Sequence, residues 1–342
     1  MFELEKLVRE NIKRHAPYSC ARDDYKGHEG IFLDANENPF GNLNRYPDPY
    51  QKELKAEICR IRMKAEEELF LGNGSDEIID LAFRIFCIPG KDKVMIFPPT
   101  YGMYEVSASI NDTGVIKIPL REDFHLNVTE ARKHLSDPAL KIIFFCSPNN
   151  PTGNSMNISD MEEIISEFPG IVLVDEAYSD FSDKPSLITK IKLYPNLIVM
   201  QTFSKALGLA SVRIGMAFSN PRIIQYFNRI KPPYNISTVN QVTAMKKLGE
   251  RITTIEQVKV IKSERERLRK ELESTDKVRF IYPSDSNFLL VKVDDADYLY
   301  EYLTGKGIIV RNRSSVADNC LRITVGTKDE NNRLIEELKN IQ

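Results

Sequence analysis

Lys205 lies in Thr202-Phe-Ser204-Lys205, just after the apolar run Asn196-Leu-Ile-Val-Met200 and eight residues before Arg213. The run reads as a buried strand, so the lysine stands at a strand end among hydroxyls, with a guanidinium nearby. An amine there can condense with an aldehyde, while the hydroxyls and the arginine hold a phosphate. Other clusters also follow apolar runs. In Val172-Leu-Val-Asp175-Glu-Ala-Tyr178, a carboxylate ends a strand, where burial without a cationic or N–H partner would be costly. Ser147-Pro-Asn-Asn150-Pro-Thr-Gly153 offers an amide donor. Gly72-Asn-Gly74-Ser75-Asp76-Glu77 precedes a helical pattern over Ile78–Phe86 and presents main-chain N–H groups suited to an anion. Pro98-Pro-Thr-Tyr101-Gly-Met-Tyr104 places an aromatic ring, Tyr101, after a further strand.

Each cluster also has an ordinary explanation. Lys205 could be a surface lysine, Asp175 a helix cap, Asn150 part of an Asn-Pro turn, Ser75 an N-cap, and Tyr101 a buried ring with a wet hydroxyl. Those explanations are separate accidents. One pyridoxal phosphate uses all five clusters: a lysine for its aldehyde, Asp175 for its ring nitrogen, Tyr178 and Asn150 for its ring oxygen, donors with Arg213 for its phosphate, and Tyr101 for its face. The glycine segment is neither Gly-x-Gly-x-x-Gly, because Glu77 stands at the third glycine, nor a P-loop, because no Gly-Lys-Ser/Thr follows.

The elements that must position these groups follow from pattern. Apolar runs at Lys93–Phe97, Lys141–Cys146, Ile171–Val174, Leu197–Met200 and Ile214–Phe218 alternate with helical stretches such as Ser159–Phe168. Strands apolar throughout and separated by helices predict a largely parallel sheet buried on both faces, with chemistry outside its carboxyl ends. Helical patterning runs from Pro221 to about Leu272, with Gln241–Lys270 as one long helix. Runs at Val278–Ile281, Phe288–Val291, Ile308–Val310 and Leu321–Val325, with helices at Ala296–Leu303 and from Asp329, predict a small α+β domain.

The 342 residues allow a large domain with a smaller partner, or two domains of similar size, and a net charge of −2 without a basic face argues against nucleic acid. Five scattered cysteines (Cys20, Cys59, Cys87, Cys146, Cys320) without a Cys-x-x-Cys pair fit reduced thiols in the cytoplasm, with Cys146 as a small buried hydrophobe. Four histidines (His15, His28, His125, His134) lack metal-ligand spacing, and neither a signal peptide nor a membrane span is evident.

Over nearly its full length the sequence resembles the fold-type I pyridoxal-phosphate aminotransferases. Asn36-Glu-Asn-Pro39, Arg45-Tyr46-Pro47-Asp48 and Lys231-Pro-Pro-Tyr234-Asn235 narrow the resemblance to the histidinol-phosphate branch. It implies an α/β fold: a large domain with a mainly parallel seven-stranded sheet flanked by helices, plus a small α+β domain. The boundaries expected are an arm over 1–38 packing with the small domain, a cofactor-binding domain over 39–245 and a small domain over 246–342. By position, Lys205 would carry the cofactor, Asp175 would pair with its ring nitrogen, and Tyr178 and Asn150 would meet its ring oxygen. Gly74, Ser75, Asp76, Thr202, Ser204 and Arg213 would take its phosphate, with Tyr101 on its face. Tyr46 would come from the other subunit of a homodimer with shared sites. Tyr18, Asn36, Arg311 and Arg322 would hold the substrate's anionic end, with Arg313 a rival for Arg311. The implied reaction is transamination between L-histidinol phosphate and 2-oxoglutarate in histidine biosynthesis. Threonine-phosphate decarboxylation and aromatic amino acid transamination are the alternatives. Ser211-Val212 replaces the usual Gly-Leu before Arg213, and the loop between Arg311 and Arg322 is short.

Overall fold

The computed structural model describes residues 2–18 and 30–341. Strands β1 (Leu69–Asn73), β2 (Lys93–Ile96), β3 (Gly114–Lys117), β4 (Leu140–Cys146), β5 (Ile171–Asp175), β6 (Leu197–Thr202) and β7 (Ile214–Ser219) form one sheet in the order β1-β7-β6-β5-β4-β2-β3. The β2–β3, β2–β4, β4–β5 and β5–β6 pairs are parallel; β7 is antiparallel to both β6 and β1. β5, β6 and β7 are buried along their whole length, as their unbroken apolar runs require. Helices Ser75–Phe86 and Pro221–Ile230 cover one face, burying Ile78, Phe83, Ile223 and Phe227 with Phe70 and Phe144. Helices Lys52–Arg62 and Ile158–Glu167 contribute Leu54, Ile58, Ile164 and Ile165 to the core on the other. Each such side chain stabilises the fold by roughly 1.5–3 kcal/mol through burial.

The antiparallel β7 decides what the sheet edge presents. Because it runs opposite to β1 and β6, its amino end lies beside their carboxyl ends: Asn73 pairs with Ile214, and Thr202 with Gly215. Arg213, just before β7, therefore joins Ser75 and Thr202 at one edge. A Cβ on Gly215 would come within 2.5 Å of the Ser75 nitrogen, so only glycine allows this approach. Gly74 has φ +76, a left-handed conformation that glycine adopts freely.

A second, antiparallel sheet has the order β10-β11-β9-β8, with β8 Val278–Ile281, β9 Phe288–Val293, β10 Arg311–Asn312 and β11 Cys320–Thr324. It has its own core, including Leu268, Leu272, Leu289, Val291, Leu303, Ile323 and Leu334.

Some expectations need correction. Ile308–Val310 are not in a strand; the strand starts at Arg311, three residues later than expected, because pairing with β11 engages Arg311 and Asn312. The long helix is two, Thr238–Gly249 and Arg251–Glu273, broken at Glu250 (φ −92, ψ 28) after Gly249. β1 and β3 were not foreseen. No helix among the described residues is long and apolar enough to cross a membrane, and no cluster of potential metal ligands occurs among them. Cys20 and His28 lie outside the described residues.

Candidate active site

Ser75, Asp76, Tyr101, Asn150, Asp175, Tyr178, Thr202, Ser204, Lys205, Arg213 and Arg322 line one cavity of about 230 Å³, together with Cys146 and Ala177. The first ten come from the edge of the seven-stranded sheet; Arg322 reaches in from β11.

At one end of the cavity, the Ser204 N–H donates to the Thr202 hydroxyl at 3.1 Å, which lies 3.0 Å from the Ser204 hydroxyl. The helix Ser75–Phe86 opens here. Its N-cap is Gly74 and not Ser75, whose hydroxyl is free to face the cavity. Arg213 Nη2 donates to the Asp76 carboxylate at 3.1 Å, and the Tyr101 hydroxyl donates to its other oxygen at 3.2 Å. The Asp76 side chain is thus an orienting acceptor. An anion would meet its main-chain N–H instead. A Cβ on Gly74 would strike the Arg213 guanidinium, so this glycine keeps the arginine in place.

In the middle, the Asp175 carboxylate is almost fully buried; burial raises its pKa to about 6. One oxygen accepts from the Ala177 N–H at 3.0 Å, the other from the Tyr104 hydroxyl at 2.9 Å. Lys205 Nζ lies 5.4 Å from the centre of the Tyr178 ring. Burial, then the nearby Arg322 charge, lowers the Lys205 pKa and favours the neutral amine.

At the other end, Arg322 donates to the Asn150 amide oxygen at 2.5 Å, leaving Asn150 Nδ2 to face the Tyr178 hydroxyl at 3.5 Å. The Arg322 guanidinium also stacks over Phe288, 5.3 Å from the ring centre. Cross-strand pairing sets Arg311 opposite Arg322. Arg313 is half-buried with an unpartnered Nε; burial, then the charges of Arg322 and Arg311, lowers its pKa. Three guanidiniums held together in this way favour an anion between them.

A model of the class I and II aminotransferases matches residues 24–338. The chain is 49% identical over 347 residues to a histidinol-phosphate aminotransferase of Bacteroides fragilis, spanning 100% of both sequences. It is 48% identical to that of Cytophaga hutchinsonii, spanning 99% of each.

The chain belongs to the class I and II aminotransferases.

Among solved structures, the histidinol-phosphate aminotransferase of Clostridium acetobutylicum superposes with a TM-score of 0.80 at 24% identity, covering 87% of this chain and 90% of that one. The Sinorhizobium meliloti enzyme, solved with pyridoxal-5'-phosphate, gives 0.79 at 22%, covering 89% and 88%. The L-threonine-O-3-phosphate decarboxylase of Porphyromonas gingivalis gives 0.73 at 19%, covering 87% and 90%. These likenesses show the fold, which is that of the fold-type I aminotransferases.

Tyr18, Asn36, Tyr46, Arg311 and its rival Arg313 do not line this cavity. Arg311 is exposed beside it. Asn36 and Tyr46 line a separate hollow with Arg45, Thr238 and Val239, and Tyr46 stacks on Tyr234 at 4.4 Å and 15°. Tyr18 lies with Tyr50 and Arg229. Sequence reading missed Tyr104, which is helical and fully buried, and Phe288. It also missed the work of Asn235, whose amide donates to the Leu71 carbonyl at 3.0 Å and to Glu77 at 2.8 Å. Asn235 thereby ties β1 to the first turn of the helix at Ser75.

Proposed function

We propose that the chain transfers the amino group of L-histidinol phosphate to 2-oxoglutarate with pyridoxal 5'-phosphate as cofactor, giving imidazole acetol phosphate and L-glutamate in histidine biosynthesis. The observation that carries this is one cavity holding a desolvated lysine, a buried carboxylate and a half-buried arginine. Near-half identity to histidinol-phosphate aminotransferases over the full length supports the substrate.

The donor set fits the cofactor. A buried carboxylate with a raised pKa is a strong acceptor for a ring N–H, and the hydroxyls, helix-start N–H groups and Arg213 match a phosphate. When bound, pyridoxal phosphate supplies an electron-poor ring that stabilises negative charge on the carbon bearing the amino group. Lys205 would hold the aldehyde and, once its amine is free, would take the proton from that carbon and deliver it to the cofactor carbon that had carried the aldehyde. Asp175 holds the proton at the ring nitrogen. Asn150 and Tyr178 bind the ring oxygen, Tyr101 covers the ring, and Ser75, Asp76 N–H, Thr202, Ser204 and Arg213 hold the phosphate. Arg322, with Arg311 or Arg313, takes the anionic end of each substrate, since a guanidinium fork binds phosphate or carboxylate alike.

The enzyme is proposed to be a homodimer. Ile31, Leu33, Phe40 and Leu43 are at least 71% exposed, more apolar surface than a monomer ordinarily leaves in one segment. Tyr46 and Asn36 follow in the same segment, so a partner docked there would receive them; Tyr46 would reach the partner's cofactor, and Asn36 and Tyr18 the substrate. The division into an arm (1–38), a cofactor domain (39–245) and a small domain (246–342) belongs to the same proposal, supported by the separate core of the second sheet. The unpaired thiols Cys59, Cys87, Cys146 and Cys320 suit the cytoplasm.

The test is a single turnover of the cofactor-loaded protein without keto acid. L-Histidinol phosphate should convert the bound aldehyde form to pyridoxamine phosphate, while L-threonine phosphate should do nothing. Carbon dioxide released from the latter, with no response to the former, would make the chain a decarboxylase.

A further inference from the structure

We propose that Tyr104 is a positioning residue of this site: its phenol fixes the Asp175 carboxylate and keeps it ionised, so that the shared proton stays on the cofactor's ring nitrogen. This rests on the cofactor reading above and goes beyond it, since Tyr104 lies behind Asp175 and does not line the cavity.

The geometry is specific. Tyr104 is in the helix Met103–Ile110, 0% exposed, and its hydroxyl donates to Asp175 Oδ2 at 2.9 Å. A tyrosine with no exposure places a polar hydroxyl in the core, which is costly unless it is bonded; here its partner is a charged group of the site. Aromatic contacts hold the ring. It stacks on Phe144 of β4 at 4.8 Å and 17°, and meets Tyr101 edge-on at 5.6 Å and 88°. The donor therefore has little freedom to turn away. The other oxygen, Oδ1, is held by the Ala177 main chain at 3.0 Å. Two rigid donors, one per oxygen, fix the carboxylate plane and leave lone pairs for the ring N–H.

The electrostatics agree in sign. Burial and the Asp76 charge favour a neutral Asp175, whereas Tyr104, the Ala177 N–H and Lys205 favour the carboxylate. Tyr101, Tyr178 and the Cys146 thiol also face this region; burial raises the pKa of each, so they stay neutral there. Among the side chains around Asp175, Tyr104 is the donor bonded to it. Without that bond, Asp175 becomes the better base and draws the proton from the ring.

The experiment is Tyr104→Phe, which keeps the ring and deletes only the donor. Both proteins are loaded with cofactor carrying ¹⁵N at the ring nitrogen. In the parent protein, the signal should lie at the protonated pyridinium position; in the variant it should move toward neutral pyridine. In steady state, kcat should fall about tenfold, the scale of one hydrogen bond to a charged group, with KM within about twofold. An unmoved ¹⁵N signal would overturn the proposal even if activity fell, because a merely structural role changes stability without moving the proton. Should Tyr104→Phe fail to fold, Phe144→Leu replaces it. That change removes the ring beneath Tyr104 but no hydrogen bond, and it should move the signal in the same direction by less; no movement overturns the proposal. If the parent protein takes up no cofactor, the cofactor reading itself has failed, an outcome distinct from any of these.

Discussion

The edge of the seven-stranded sheet and the periphery around Arg322 are built in opposite ways. At the edge, short loops after β1, β2, β4, β5 and β6, and the residue before β7, bring their side chains to one cavity. Neighbouring buried strands fix these groups relative to one another within one chain. The periphery draws Arg322 from the second sheet and leaves Arg311, Tyr18, Asn36 and Tyr46 outside the cavity. One region is rigid by packing; the other depends on how separately built pieces meet. Chemistry that needs a fixed frame is therefore expected at the edge, and substrate choice at the periphery.

The largest expected effect lies at the edge. Lys205→Ala should slow the half-reaction by roughly 10²–10⁴-fold, the range for one positioned proton-transfer group, as read by stopped-flow absorbance. A variant still within tenfold of the parent would remove the lysine from its role.

Asp175 sharpens the same side through pH. Its folded pKa is about 6 against an ordinary 3.8. Between those values the folded cofactor-free protein binds more protons than the unfolded chain, so stability falls as pH rises through roughly 4 to 6. At about 1.36 kcal/mol per unit this is roughly 3 kcal/mol. Asp175→Asn should lack that loss, which urea unfolding of both cofactor-free proteins at pH 4 and 7 would detect. Parallel pH profiles would contradict the burial argument.

On the peripheral side, Arg322→Lys should lower kcat/KM for both substrates by about 10- to 100-fold, because a point charge replaces a fork. Cofactor affinity, measured by equilibrium titration, should change little. Equal losses in both would mean that Arg322 belongs to the rigid edge after all.

The same contrast explains what the sequence could disclose. Asp175, Asn150 and Lys205 each come at or shortly after the end of an apolar run, so they could be found from pattern alone. Tyr104 could not, because its partner is distant in sequence and its neighbours look like an ordinary helix face. Asp76 is legible as a residue of the helix start, but that its carboxylate receives the Arg213 guanidinium depends on an approach between residues distant in sequence. β1 is short and ends in Gly72-Asn73, and β3 is a half-exposed edge strand of Gly114-Val-Ile-Lys117, so neither carries a long apolar run. Lys231-Pro-Pro-Tyr-Asn235 marked the family without disclosing that Asn235 bonds β1 to the helix that follows it.

The groups missing from a chain's own cavity are proposed to serve the site of a second copy. Mixing Tyr46→Ala with Lys205→Ala subunits after separate purification tests this most directly. In a mixed dimer, one site would combine an intact Lys205 with the other chain's intact Tyr46. Random exchange should then restore about a quarter of parental activity, since half the dimers are mixed and half of their sites are whole. No recovery above the two variants alone, with mixed dimers present by mass, would contradict the claim and return Tyr46 to its own chain.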